Sequence, residues 1–225
     1  MSSKYKGYFV VGTDTGVGKT LVSTGLLHHF ANKGYRAVGM KPVASGAVFN
    51  SGAWQNDDVT ALREASNVDV PIALNNPYLL REPTAPHIAA ATEGIQIKVN
   101  HIQHCYRALQ KYADSVIVEG IGGFLVPLNE NVHMGHLVTI LELPVILVVG
   151  IRLGCINHTL LTTEAISARG ISMVGWIANI VDAEMRQIDA TINCLKKRIQ
   201  SPMLGYIPWL SSSKATNVAQ FIRLP

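Results

Sequence analysis

Gly12-Thr13-Asp14-Thr15-Gly16-Val17-Gly18-Lys19-Thr20 has the composition of a loop that cradles phosphate groups. The residues before it, Tyr8-Phe9-Val10-Val11, are β-branched and aromatic. Those after it, Leu21 to Lys33, carry apolar residues at helical spacing, so the loop joins a strand to a helix. Glycines at 12, 16 and 18 let the backbone turn its N–H groups inward, and the next helix points its positive end at a bound anion. A di- or triphosphate fits that description. Lys19 would reach its outer phosphates, and the Thr20 hydroxyl would face a magnesium ion. The usual pattern places a glycine five positions before the Gly-Lys pair; here Thr13 stands there and the glycine falls one earlier, at Gly12.

Outward from the loop, strand and helix signals alternate. Lys33-Gly34 ends the first helix, and a strand from Ala37 to Met40 delivers Lys41-Pro42-Val43-Ala44-Ser45-Gly46. A lysine at the carboxyl end of a strand sits where open α/β sheets bind ligands, although on position alone it also reads as a surface lysine. Val48 to Asn56 reads as a polar loop. Asp57-Asp58 then opens a helix, where capping and metal binding are both open readings of the two acids. The proline-punctuated stretch from Asn76 to His87 reads as extended or turning, with a short helix from Ile88 to Ala91 and a longer one from Val99 to Tyr112.

Ser115 to Val118 is a buried strand run ending in Glu119-Gly120-Ile121-Gly122-Gly123, which can place a carboxylate beside the phosphate loop. Pro144 to Gly150 is the clearest buried parallel strand, succeeded by a helix that stops at Gly170. A strand from Met173 to Ala178, a helix from about Ala183 to Ile199 and a strand from Met203 to Ile207 complete the alternation. His101, His104 and Cys105 resemble metal ligands by type, but no second cluster completes them. The whole pattern predicts one α/β domain over residues 1–225, a mostly parallel sheet covered by helices on both faces, with its site along the carboxyl ends of the strands.

Composition bounds the function. Of 225 residues, 48% are hydrophobic and 15% charged, which suits a sheet buried on both faces. A net charge of +4 with dispersed basic residues argues against nucleic-acid binding. Cys105, Cys155 and Cys194 are odd in number, which speaks for a reducing compartment. Met1 to Lys6 carries no signal-peptide core, and no apolar run approaches the roughly 18 residues of a membrane helix. A soluble, cytoplasmic protein is expected.

Five stretches, taken together, resemble the dethiobiotin synthetase family: residues 12–20 quoted above, Lys-Pro-Val-Ala-Ser-Gly at 41–46, Val-Glu-Gly-Ile-Gly-Gly at 118–123, Val-Val-Gly-Ile-Arg-Leu-Gly-Cys-Ile-Asn-His at 148–158 and Gly-Trp-Ile-Ala-Asn at 175–179. The resemblance runs from Tyr8 to about Leu210. It implies a homodimeric P-loop enzyme that closes a ring on 7,8-diaminononanoate with carbon dioxide and Mg-ATP. By the family pattern Lys41, Lys19 and Thr15 serve the chemistry, and Thr20, Asp58 and Glu119 hold magnesium. Asp58 is preferred to Asp57 on the alignment of Asn56-Asp57-Asp58 with the Ala61-Leu62 beyond it. ATP contacts are implied for Thr13, Gly16, Val17, Gly18, Lys19, Thr20 and Leu21, for Asp58, Glu119, Gly120 and Gly122, and around the base for Asn179, Ile207, Pro208 and Trp209. Ser45, Lys41 and Thr15 would meet the diamine, with Gly154 and Asn157 doing so across the dimer interface.

The sequence departs from that pattern at Gly16, where glutamate is common, at Arg152, where lysine is frequent, and in the tail from Ser211 to Pro225. Partitioning ATPases share the fold, but carry an extra lysine near the start of the loop, where this chain has Thr13 and Asp14. A related amidotransferase domain would normally come with a glutamine-hydrolysing domain. A catalytically altered paralogue is the remaining rival.

Overall fold

The computed structural model describes residues 7–210 and 218–224; the leading Met1–Lys6 and most of the C-terminal tail singled out above lie outside them. Strand β1 (Gly7–Gly12) runs into the phosphate loop and helix α1 (Lys19–Asn32), and β2 (Ala37–Met40) comes after. Next are a short strand β3 (Val43–Ala44), a hairpin of β4 (Val48–Asn50) and β5 (Ala53–Gln55), helices α2 (Asp57–Ala65) and α3 (Ile72–Asn75), strand β6 (Tyr78–Leu79), and helices α4 (Pro86–Thr92) and α5 (Val99–Tyr112). The second half alternates regularly: β7 (Ser115–Gly123), α6 (Met134–Leu141), β8 (Val145–Ile151), α7 (Cys155–Ser167), β9 (Met173–Ile180), α8 (Ile188–Arg198) and β10 (Met203–Ile207).

Six strands form one sheet in the order β10-β9-β8-β1-β7-β2, and every neighbouring pair is parallel. Alternate residues of each strand feed two cores. Phe9, Val11, Leu147, Val149 and Trp176 pack with residues of α4 to α8 on one face; Tyr8, Val10, Ile146, Val148 and Ile177 pack with α1, α2 and Val218 and Ile222 on the other. The doubly covered parallel sheet predicted from the sequence is therefore present, and it explains why β1 and β8 are buried at every position. No helix among the described residues is long and apolar enough to cross a membrane.

Three local expectations need correction. Residues 48–55 form an antiparallel hairpin, not an irregular loop, because Ser51 and Gly52 both take positive φ (50° and 84°), the geometry of a tight two-residue turn. The last helix starts at Ile188 instead of Ala183: the Asp182 carboxylate accepts the Glu184 N–H at 3.0 Å, which holds a turn in place of the first helical bonds. Helix α4 begins at Pro86, a residue suited to a first helical turn.

The hydrogen-bond register of the sheet builds the site. Pairing of Met40 with Val118 in β2–β7 brings the next residues, Lys41 and Glu119, side by side, and pairing of Val10 with Glu119 in β1–β7 puts that acid beside the loop strand.

Candidate active site

The phosphate loop closes back on the start of α1. Gly18 is the residue ahead of that helix, with φ 92°, and a Cβ there would collide with the Asn179 side-chain amide, so glycine is required on two counts. The Asn179 amide nitrogen donates to the Val17 carbonyl at 2.9 Å, which ties the loop to the carboxyl end of β9. Lys19 turns its ammonium back to the Asp14 carbonyl at 2.8 Å. Burial and the neighbouring Lys41 lower its pKa to about 8.

Around Thr20 the charges interlock. Its hydroxyl lies 2.6 Å from Asp58 Oδ1 and 2.9 Å from Glu119 Oε1, while Lys41 Nζ donates to Asp58 Oδ2 at 2.7 Å, to Glu119 Oε1 at 2.6 Å and to the Gly120 carbonyl at 3.2 Å. Lys41 is 3% exposed and Glu119 is fully buried. Burial lowers the Lys41 pKa, but Glu119 and Asp58 outweigh it and hold that pKa above the ordinary value. For Asp58, burial works against the charge and is overcome by Lys41, helped by Thr20 and Lys19, so its pKa lies below the usual carboxylate range. The Lys41 main chain is fixed as well: its N–H donates to the Asn75 carbonyl at 2.7 Å and its carbonyl accepts from the Asn76 side chain at 2.7 Å.

The choice between the two adjacent aspartates is made by the cap of α2. The Asn56 side chain accepts the N–H groups of Asp58 and Val59, which leaves Asp57 exposed and turns Asp58 to Thr20 and Lys41. These groups stand at one end of a cavity of about 840 Å³. Thr15, Gly16, Gly18, Lys19, Thr20 and Leu21 line it from the loop and the start of α1, Lys41, Ala44 and Ser45 from β3 and the segments that follow β2 and β3, Asn56 and Asp58 from the start of α2, and Glu119, Ile121, Gly122 and Val126 from β7 and the turn after it. Pro83 to Pro86 forms a wall that sequence patterns did not assign to the site.

Other expected residues lie apart from that cavity. Val17 is buried beneath the loop, against Gly150. Thr13 lines a separate groove of about 510 Å³ with Asp14, Phe124, Leu125, His158 and Leu161, one turn along α7 from Gly154 and Asn157. Gly120 contributes its carbonyl to Lys41. Asn179 and Ile207 are paired across β9 and β10, with Pro208 and a half-exposed Trp209 beyond them.

Comparison with known proteins places the chain in a family and a fold. The family described as an AAA domain matches residues 6–217. The ATP-dependent dethiobiotin synthetase BioD of Aromatoleum aromaticum is 48% identical over 98% of this chain and 98% of its own length. The protein of that name from Xanthomonas campestris pv. campestris is 46% identical over 99% of each chain. The chain belongs to the dethiobiotin synthetase family. Among solved structures, the MinC:MinD cell division complex of Aquifex aeolicus aligns with a TM-score of 0.59 over 96% of this chain and 86% of that one, at 12% identity. A ParA family ATPase from Chlorobium tepidum aligns at 0.56 over 95% and 90%, also at 12% identity. Those two likenesses concern the fold alone, a P-loop NTPase-like parallel sheet.

The site residues also fit a magnesium ion. Glu119 Oε2 is buried with no hydrogen-bond partner, beside a threonine hydroxyl and a second carboxylate. One or two carboxylates plus substrate phosphates is the donor set magnesium prefers. No cluster of three or more His, Cys, Asp and Glu occurs among the described residues. His101 and His104 lie on the exposed side of α5, whereas Cys105 is buried in the core.

Proposed function

We propose that this chain is an enzyme of biotin biosynthesis, an ATP-dependent cyclo-ligase that carboxylates 7,8-diaminononanoate and closes it to dethiobiotin, releasing ADP and phosphate. The observation that carries the reading is the pairing of a phosphate loop with a buried Lys41–Asp58–Glu119 cluster at one end of a cavity, in a chain with relatives of that name over nearly its whole length.

The atoms balance in three steps. One amine of the substrate forms a nitrogen–carbon bond to carbon dioxide and loses a proton, giving a carbamate. A carbamate oxygen bonds to the γ-phosphorus of ATP as the bridging oxygen leaves with ADP. The second amine then bonds to the carbamate carbon, the carbon–oxygen bond to phosphate breaks, and a cyclic urea forms with release of a proton. Phosphoryl transfer of this kind asks chiefly for positioning and neutralised charge. Lys19 and Lys41 supply positive charge on either side of the transferred group; Lys41 stabilises the carbamate and the developing anhydride. Thr15 and Ser45, both lining the cavity, orient the diamine. Thr20, Asp58 and Glu119 would hold a magnesium ion, which when bound supplies charge neutralisation to the ATP phosphates.

At the base end we assign Asn179, Ile207, Pro208 and Trp209 to the adenine. We further infer a homodimer acting in the cytoplasm as one P-loop domain per chain. The groove lined by Thr13, Leu125 and Leu161 supports the dimer: Leu125 and Leu161 are 50% and 57% exposed, and Leu153, just ahead of α7, is 93% exposed, apolar surface suited to a second copy, for which Gly154 and Asn157 would complete the diamine site. Purified protein given Mg-ATP, bicarbonate and 7,8-diaminononanoate should release ADP only when the diamine is present, with a cyclic urea identified by mass spectrometry. ADP release indifferent to diamine would refute the assignment, and an active monomer in sedimentation would refute the dimer.

A further inference from the structure

The two halves of the phosphate loop are anchored differently. Val17 and Gly18 are held by Asn179 and by packing of Val17 on Gly150. Asp14 and Thr15 stand clear of the sheet, and the side chain that reaches them from elsewhere is Arg152, 138 positions away, whose guanidinium donates to Asp14 Oδ2 at 2.6 Å. The other oxygen of that carboxylate accepts the Thr15 N–H at 2.7 Å, and the Asp14 carbonyl receives the Lys19 ammonium at 2.8 Å. One aspartate thus sets both the residue assigned to the diamine and the lysine assigned to the phosphates.

Arg152 is bound at its other end too. It comes directly after β8, and its carbonyl accepts the N–H of Cys155, the first residue of α7, at 3.1 Å. The turn that starts α7 and the tip of the phosphate loop are therefore joined through a single residue. We propose that Arg152 is a positioning residue: through Asp14 it couples the start of α7 to the placement of Thr15, assigned to the diamine of the same chain, and of Lys19, so that the phosphoryl group stays aimed at bound diamine and not at water. The coupling rests on the diamine reading under Proposed function; the tether itself does not. With Arg152 and Asp14 side chains 40% and 45% exposed, the pair adds little to stability, and its value is geometric.

The test uses the full chain and the variants Arg152→Met, Arg152→Lys and Asp14→Asn. Hydrogen exchange at the Thr15 amide should speed up in Arg152→Met and in Asp14→Asn while the melting temperature stays put. In turnover, Arg152→Met should bind nucleotide within about twofold of the parent yet lose about 10- to 100-fold in kcat/KM for the diamine, the cost of a misplaced catalytic group. ADP released per ring closed should rise above one, because water then competes for the phosphoryl group. Arg152→Lys, which keeps the charge, should recover most of the loss. Unchanged exchange at Thr15 would overturn the tether whether or not the protein makes dethiobiotin. Altered exchange with kcat/KM and the ADP ratio at parental values would overturn the coupling. A parent that shows the exchange behaviour but forms no cyclic urea would refute the functional reading and the coupling together, and leave the tether standing.

Discussion

The phosphate end and the base end proposed for the nucleotide site are built from different materials. At the phosphate end Lys41, Glu119, Asp58, Thr20 and Lys19 are interlocked through side chains, and Lys41 and Glu119 are nearly or fully withdrawn from solvent. At the base end a single buried amide, Asn179, stands beside the Ile207 to Trp209 backbone, and Trp209 is half exposed. Buried charge must be matched by opposite charge at short range, so the phosphate end tolerates little change. A base contacted through main chain places much weaker demands on residue type. Substitutions at the first end should therefore strike both activity and folding, and at the second only affinity.

The largest effect is expected at Lys41. Lys41→Met should lower kcat by about 10²- to 10³-fold, the scale seen when one preorganised charge-stabilising donor is removed. It should also cost about 3–5 kcal/mol in stability, because two carboxylates lose their buried counter-ion. Thermal denaturation should show part of that loss restored by added magnesium. A Lys41→Met protein with parental activity would break the contrast at its stronger side.

A smaller effect concerns Lys19. Only its protonated form attracts phosphate, and its pKa in the nucleotide-free protein is held down to about 8 by burial and by Lys41. Affinity for ATP should therefore be constant well below pH 8 and fall by up to about tenfold per unit above it, because the bound phosphates keep Lys19 protonated and binding must then take up a proton. Calorimetric titration between pH 7 and 9.5 would show the fall, and Lys19→Met should flatten it.

At the base end the smallest effect is expected. Asn179→Ala removes one amide and its bond to Val17, so the ATP dissociation constant should rise several-fold, in line with about 1 kcal/mol for a hydrogen bond, while kcat at saturating ATP stays close to parental. A drop in kcat as large as that of Lys41→Met would show that the two ends are not separable.

The same contrast governs how much is legible in the sequence. The loop, β2 and α5 are legible because glycine spacing, β-branched runs and helical periodicity are local signals, and Ala37–Met40 and Val99–Tyr112 fall where the pattern places them. Lys41, Glu119 and Thr20 can be named from sequence, and the family pattern groups Thr20 with Glu119, but the contacts of Lys41 with Glu119 and Asp58 are not legible there. Lys41 and Glu119 lie 78 positions apart, and only the register of β2 on β7 makes them neighbours. Asp57 and Asp58 are alike in local signal, and Asp58 is preferred only through the family alignment; the physical reason, the Asn56 cap that turns Asp58 inward, is visible in the structure alone. Asn76, which clamps the Lys41 carbonyl, carries no signal at all, since an asparagine before a proline reads as a turn. The hairpin at 48–55 escapes because all six of its strand residues are exposed, so no alternation toward a core marks it.

In the proposed reaction a carbamate oxygen takes the γ-phosphoryl group. Turnover with 18O-labelled carbon dioxide in unlabelled water tests it at the atom concerned. One labelled oxygen should leave in each inorganic phosphate, in step with dethiobiotin formed and ADP released. Phosphate carrying no label while the cyclic urea still forms would contradict the mixed anhydride, and with it the role assigned to the buried Lys41 cluster.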